Sequence, residues 1–417
     1  MLRFWLALCV VLPAAAQVDQ VLAKKYFQEA AALCAREGGK TWGVSLCGPM
    51  VFADAATKTI ATNQPVPSEK QPPLIGFANA VADWGGKRWS TYVWAMIPHQ
   101  DEAQRGRLML HELFHRVQPE LGFFVNDGDN SHLDTLDGRY WMQLEWRALA
   151  KALGSTGAER TAALSHALAF RAERHKQFPG AAKNEQPMVI NEGLAQYTAT
   201  IAAFATPAEA TADTIAQMKE AELNATFVRT FPYPIGAAYG ILLDAYSPGW
   251  PRRIKSTDDL PQMVAAAARV APAASADVAA KRYGGDELRA AEVKRDTAQK
   301  ARVAELRRKF VDGPVLILPP PRSASFTTNG MTPIPGEGTV YPTYRTSPEW
   351  GSLEADWVLV AADRSKLTLP APASVEGPVI KGEIFSGQSW TVKPAAGWVV
   401  RPGKRRGDFE LVRDPAK

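Results

Sequence analysis

The sequence lacks a strong excess of charge of either sign, and it lacks the composition of a disordered or fibrous chain. Its 417 residues carry 48 Lys and Arg against 43 Asp and Glu, so the formal net charge is only +5. Charge this dilute excludes an extended basic surface for nucleic acid. Apolar residues make up 46% and charged residues 22%, which is typical of globular domains. We therefore expect two or three folded domains, or one large domain with an appendage, that do not bind nucleic acid.

Long hydrophobic runs are also absent. No stretch after the first residues reaches about 18 consecutive apolar residues, so we expect no integral membrane segment. The chain begins instead with Arg3, the short apolar run Phe4 to Leu12, and the small residues Ala14 to Ala16. This order is typical of a secretory signal peptide. The sequence therefore predicts cleavage near Ala16 and an exported protein, either periplasmic or secreted.

Cysteine is scarce, with three residues in the whole chain. Cys9 lies in the core of the predicted signal peptide, so only Cys34 and Cys47 remain after its removal. Two cysteines at this spacing in an oxidising compartment favour a disulfide over two separate buried thiols.

Histidine is scarce too, with six residues, yet two of them belong to the segment HELFH, which begins at His111 and ends at His115. The apolar pattern predicts a helix from about 102 to 117, ended by Pro119. Histidines four residues apart share one face of such a helix, so both imidazoles can bind one metal ion. Glu112 is rotated by about 100° from His111 and can reach a metal-bound water. The segment predicts a zinc site in which Glu112 is the general base.

A catalytic zinc needs a third protein ligand, and two glutamates are candidates. Glu192 lies in a helical stretch predicted from about 188 to 204, where Gly193 and Ala195 would let another helix approach closely. Glu145 also lies in a predicted helix, but bulky Trp146 follows it. This comparison favours Glu192, and the other glutamate would support a histidine ligand or pair with an arginine.

HELFH and the later segment NEGLAQY, which begins at Asn191, together resemble the gluzincin metallopeptidases, including the aminopeptidase-N-like branch of the peptidase MA group. The resemblance covers about 88 to 244 and implies a zincin-like fold, peptide hydrolysis and Glu192 as third zinc ligand. The interval from His115 to Glu192 is longer than in that branch, so a helical insertion of about residues 128–180 must loop out. The strand before HELFH lacks the glutamate with which those aminopeptidases hold a free amino terminus, so aminopeptidase specificity is not implied.

Gluzincins often add a tyrosine that donates a hydrogen bond to the developing oxyanion. Tyr233 and Tyr239 are both candidates for this role, and core packing is the alternative for each. His132 follows a loop rich in glycine and aspartate. A role in proton transfer and a hydrogen bond that tethers the loop are both open for it.

Alternating and apolar stretches predict the surrounding elements. We expect an amphipathic helix over 18–37, a hairpin of 42–46 with 50–53, and a strand over 88–97. The part of that strand from Trp89 to Ile97 is the expected shelf for an extended peptide, which would add its backbone to the sheet edge.

The residue composition changes twice after Trp250. An alanine-rich and then charged pattern predicts long helices over about 259–311, and Gly313 and Pro314 end it. The short apolar stretches beyond are divided by glycine and proline, which predicts a small all-β unit. The predicted fold is α+β: a signal peptide (1–16), a zincin-like domain (17–312) with a small sheet, an insertion (128–180) and a helical extension (251–312), and a β-rich unit (313–417).

The predicted function is an exported zinc metallopeptidase acting on a peptide or protein substrate. His111, His115 and Glu192 would bind zinc, and Glu112 would activate the water. Two alternatives stay open. One is an inactive zincin-like protein that binds a partner through the β unit, and the other is a metal-dependent hydrolase of cell-wall amide bonds.

Overall fold

The structure is a computed structural model that describes residues 17–72, 75–76, 78–124, 128–327, 330–371, 379–381 and 384–414. Helices make up about 49% of the chain and strands about 19%. The chain divides into two compact units, Met1–Ala290 and Ala291–Lys417. This division falls inside a long helix, whereas the sequence places the boundary after residue 312. The predicted signal peptide lies outside the described residues.

The first unit begins with helix α1 (Gln20–Glu37) and a four-stranded sheet. Asp19 caps the start of α1, and Gly38 ends it with a left-handed φ of 59°, as expected of a glycine stop. The strands are β1 (Met50–Asp54), β2 (Thr59–Thr62), β3 (Ala80–Trp84) and β4 (Lys87–Val93), in the order β2-β1-β4-β3. β4 runs parallel to β1 and antiparallel to β3.

The predicted hairpin of 42–46 with 50–53 is wrong. Residues 42–46 form no strand: Gly43 takes a left-handed φ of 83°, and the Trp42 indole is buried and donates a hydrogen bond to Thr198. The antiparallel partner of β1 is β2, which comes later in the chain.

The predicted peptide shelf is also wrong in detail. β4 ends at Val93, and residues 94–96 form a 3₁₀ turn. Since β3 and β1 both pair with β4, its backbone groups are already used in the sheet. The outer strand on this side of the sheet is β3.

Helices build the rest of the first unit. The helix predicted to carry HELFH is α2 (Glu102–Val117), and the predicted insertion is helical, with α3 (Leu136–Leu153) packed beside α4 (Gly157–Gln177). The helices that follow are α5 (Ala181–Met188), α6 (Leu194–Ala203), α7 (Pro207–Ala221), α8 (Pro232–Tyr246), α9 (Leu260–Ala268) and α10 (Ala276–Ala280). Between α5 and α6 lies a π-helical turn, Val189–Gly193. No helix in the described ranges is long and apolar enough to cross a membrane.

The helices predicted over 259–311 are present as three α-helices of different length. Arg269 ends α9 and Gly284 precedes the last helix, each with a left-handed φ. That last helix, α11 (Gly285–Arg307), continues into a second π-helical turn, Arg308–Asp312.

The C-terminal part is a strand cluster, as predicted, although the strands are more numerous than the apolar stretches indicated. They are β5 (Val315–Leu318), β6 (Thr332–Ile334), β7 (Gly338–Thr346), β8 (Gly351–Ala361), β9 (Leu367–Pro370), β10 (Val379–Lys381), β11 (Ile384–Ser386), β12 (Trp390–Pro394), β13 (Trp398–Pro402) and β14 (Phe409–Arg413). Their main order is β10-β11-β12-β8-β9-β5-β14-β13, with β7 pairing to β6 and β8. Trp350, Leu353 and Trp390 lie in its buried core.

Candidate metal centre

Helix α2 is fixed at its start and along its length. Asp101 and Gln104 form a capping box at its first turn. Two side chains of β4 reach its backbone: Ser90 donates to the carbonyl oxygen of Glu112, and the Tyr92 hydroxyl donates to that of Met109. These contacts hold the helix against β4, and His111 and His115 line a groove that residues 80 and 81 of β3 also border.

Glu192 is presented by the π-helical turn rather than by a regular helix. Pro187 interrupts the hydrogen bonding of α5 just before this turn, because proline has no backbone N–H to donate. Gly193, the next residue, packs against Gly236 of α8. A Cβ on Gly236 would lie 2.1 Å from the Cα of Gly193, so only glycine permits this approach.

The three predicted ligands lie together. Nε2 of His111 is 3.0 Å from Nε2 of His115 and 3.2 Å from Oε2 of Glu192, and the third separation, from His115 to Glu192, is 3.4 Å. Among the described residues, these are the only histidine, cysteine and acidic side chains that converge in a group of three. Each offers one atom to the same point.

A hydrogen bond network sets the state of His115. Its Nδ1 lies 2.7 Å from Oε1 of Gln118, while Nε2 of Gln118 donates to the carbonyl oxygens of Ile190 and Asn191. Because these carbonyls need the amide nitrogen, the Gln118 oxygen faces His115 and accepts a hydrogen bond from the Nδ1–H group. In neutral His115 the lone pair is therefore on Nε2, which points to the cluster.

Electrostatics keep Glu192 ionised. Burial alone would raise the pKa of Glu192, but the hydrogen bonds and positive charge of His111 and His115 in their protonated forms outweigh burial and hold it well below its usual range. Burial raises the pKa of Glu112, and the negative charge of Glu192 adds to this effect while both histidines oppose it. The two carboxyl groups thus differ: one is a strong anionic ligand, and the other has a raised affinity for a proton.

The structure separates the two candidate tyrosines. The ring of Tyr233 stacks on His111, with centroids 5.4 Å apart and planes 21° apart. Burial and the nearby Glu192 raise the pKa of Tyr233, so its hydroxyl stays protonated and can donate. Tyr239 is fully buried and donates its hydroxyl to Oε1 of Glu145 at 2.8 Å. The candidate role of Tyr239 at the metal has no support in this geometry.

Glu145 is committed to a different cluster. Its Oε2 lies 2.7 Å from Nη1 of Arg174, and both side chains have no exposed surface. Arg174 also forms an ion pair with Glu185. The carboxylate of Glu185 is hydrogen-bonded to the imidazoles of His132 and His175. His132 therefore tethers its loop rather than facing the metal ligands.

The ligand cluster opens to two grooves, of about 780 and 630 Å³, that share His111, Glu112 and Tyr233. Asn79 lies in both grooves, and residues 80 and 81 of the outer strand β3 line the smaller one. Sequence reasoning missed Gln118 and Asn191. The available indication for Gln118 was its position three residues after His115, one helical turn away.

Comparison with known proteins gives no relative: no family model, curated protein or solved structure matches the chain.

Proposed function

We propose that this protein is an exported zinc-dependent peptidase with a zincin-like catalytic unit. The observation that carries the proposal is the triangle of 3.0, 3.2 and 3.4 Å between the three ligand atoms. Zinc bonds of about 2.0–2.1 Å in a tetrahedron place ligand atoms about 3.3 Å apart, so the triangle fits one face of that tetrahedron. Two histidines and one glutamate are the ligand set of a catalytic zinc, which leaves a fourth position open.

Zinc, when bound, would lower the pKa of a water molecule and polarise the scissile carbonyl group. The remaining work belongs to residues of the chain. Glu112 is not one of the three convergent atoms, and its raised proton affinity suits a group that takes a proton from the attacking water and passes it to the leaving amine. The resemblance of HELFH and NEGLAQY to the gluzincins assigns it the same role.

Tyr233 would donate a hydrogen bond to the oxygen that becomes negative as the water attacks. Its ring is held against His111, and its raised pKa keeps the proton available at neutral pH. The groove position supports this role, since Tyr233 lines both grooves together with Glu112.

The outer strand β3 replaces the predicted shelf as the place for an extended substrate. Its pairing with β4 uses one edge only, and it lies at the end of the sheet order. A peptide could add its backbone to the free edge beside the smaller groove, with the scissile bond next to the ligand cluster.

Cleavage of a peptide library by the purified chain tests the proposal. We expect cleavage that a zinc chelator abolishes and that added zinc restores. Glu112→Gln should lower the turnover at least about 100-fold, the usual scale for loss of a general base, while zinc stays bound. Glu102→Gln is the matched control, because this glutamate is exposed in the first turn of the same helix and should leave turnover unchanged. Near-normal turnover in zinc-bound Glu112→Gln would contradict the proposal. A wild-type chain that binds zinc but cleaves no peptide of the library would contradict it as well.

A further inference from the structure

The C-terminal unit contains a cleft that the proposed peptidase chemistry does not use. It has a volume of about 830 Å³ and lies between the end of α11 with its π-helical turn and the strand cluster. This π-helical turn is the second one among the residues that the structure describes, and π turns inside helices occur frequently at functional sites.

The walls of this cleft are firmly built. Leu306 and Phe310 pack into a small buried core with the strands, which fixes the helical wall. On the opposite wall, the Trp390 indole donates a hydrogen bond to the carbonyl oxygen of Pro370 at 2.7 Å. A Cβ on Gly387 would lie 2.3 Å from this indole nitrogen, so the turn before β12 can close over Trp390 only with glycine.

The charged groups of the cleft are arranged around one fixed arginine. The Arg302 guanidinium lies over the Trp357 ring, 4.9 Å from its centroid, and its Nε donates to the Thr332 hydroxyl at 3.3 Å. Within the described residues, the two Nη groups of Arg302 make no hydrogen bond or ion pair, and the same holds for the guanidinium of Arg308. Lys309 pairs with Glu305 and cancels its charge. The cleft therefore has two positive charges in excess.

This arrangement of charged groups favours the binding of carboxylates. A guanidinium held over an aromatic ring and hydrogen-bonded through Nε has lost rotational freedom, so its other N–H groups can bind a carboxylate in the two-point geometry that arginine favours. The apolar side chains around it favour a ligand that also carries apolar groups.

We propose that this cleft binds an acidic peptide segment, with a Glu or Asp side chain paired to Arg302 and an adjacent apolar side chain against Leu306, Phe310 and Trp357. Such a segment would belong to a protein partner or substrate. This binding does not depend on zinc or on cleavage, so it can be tested apart from the proposed peptidase activity.

The test uses the full chain with Glu112→Gln, so that the probe is not cleaved, and two fluorescein-labelled peptides. One peptide carries Glu and Asp next to leucines, and its twin carries Gln and Asn at the same positions. By fluorescence anisotropy we expect the acidic peptide to bind at least about 10-fold more tightly, the scale of a hydrogen bond pair to a charged group. Its affinity should also fall as salt rises.

Substitutions separate this cleft from general charge attraction. Arg302→Gln should lower the affinity for the acidic peptide about 10-fold or more. The affinity of Arg302→Lys should lie between those of the wild type and Arg302→Gln, because lysine keeps the charge but not the planar guanidinium group. Arg322→Gln removes an exposed charge of the same unit outside the cleft and should leave binding unchanged. Arg308→Gln is a second cleft variant in case Arg302→Gln unfolds, which thermal unfolding would reveal.

Equal binding of the two peptides would overturn the proposal, as would loss of binding in Arg322→Gln equal to that in the cleft variants. Displacement of the peptide by an acidic oligosaccharide at lower concentration than by unlabelled peptide would assign the cleft to glycans and overturn it as well.

Discussion

Gln118 determines, through one hydrogen bond, which imidazole nitrogen of neutral His115 carries the lone pair. Its amide oxygen accepts a hydrogen bond from the Nδ1–H group, so in neutral His115 the lone pair lies on the other imidazole nitrogen, which can bind a metal. The same side chain donates to two carbonyl oxygens of the π-helical turn that presents Glu192. A single residue therefore links the histidine helix to the glutamate segment.

Gln118→Ala should weaken zinc affinity by about 10- to 100-fold, the usual effect of removing a group that orients a metal ligand. Gln118→Glu keeps an oxygen acceptor for His115 and should lose less affinity than the alanine variant. Competition with a chromophoric chelator measures both affinities. Unchanged affinity in Gln118→Ala would show that His115 needs no such partner.

At the scale of single residues, the sequence predicted that His111, His115 and Glu192 converge and favoured Glu192 over Glu145, but it left Tyr233 and Tyr239 open. HELFH is local, so helical geometry alone brings His111 and His115 together. Glu145 and Tyr239 stayed open as alternatives because their contacts are made with residues far away in sequence. Arg174, from another helix, binds Glu145, and no local pattern shows that pairing.

Among the elements, the contact between α8 and the π-helical turn matters most for the site. Gly193 and Gly236 meet there, so α8 brings Tyr233 against His111 while the turn presents Glu192. The position of both side chains depends on this close approach.

Gly236→Ala should separate these two elements. The added Cβ would overlap backbone atoms of Gly193, and overpacking of this kind destabilises a protein by about 1–3 kcal/mol. We expect lower thermal stability together with weaker zinc binding. Gly154→Ala is the control, since its nearest contact would be an ordinary 3.4 Å and it lies at the end of α3. Full zinc affinity in Gly236→Ala would mean that the helix packing does not position Glu192.

The disulfide predicted between Cys34 and Cys47 is confirmed, and it joins α1 to the segment before β1. It closes a loop of 13 residues, for which the chain-entropy model gives about 3 kcal/mol of stability. Replacing both cysteines by serine should therefore lower the free energy of unfolding by roughly that amount, measured by urea denaturation. Peptide mapping without reductant checks the pairing, and two free thiols in protein purified under oxidising conditions would contradict it.

Helices were easier to predict than strands for a physical reason. The boundaries of α2 follow from local caps and an apolar face, and the structure has them at the predicted residues. Strand partners depend on distant residues: β1 pairs with β2 and β4, and nothing near Met50 in sequence specifies either. The interior place of β4 likewise depends on β3, a strand that the sequence analysis did not identify.

On the scale of the whole molecule, the two compact units carry separate chemistry. The first unit contains the cluster of His111, His115 and Glu192 with its grooves. The second unit contains the cleft that Arg302 lines. The change of residue composition at Gly313 predicted the β-rich part of the second unit. That unit also includes the end of α11, because Leu306 and Phe310 pack with its strands.

Zinc content of the purified full chain tests the central claim most directly. Elemental analysis after dialysis against a mild chelator compares the wild type with Glu192→Ala and Glu145→Ala, and Glu145→Gln serves as a gentler variant because Glu145 is buried against Arg174. Thermal unfolding confirms that each variant is folded. We predict about one zinc per chain in the wild type and both Glu145 variants, and almost none in Glu192→Ala, because three protein ligands are needed to hold the metal. Zinc retained by folded Glu192→Ala, or lost from folded Glu145→Gln, would contradict the account.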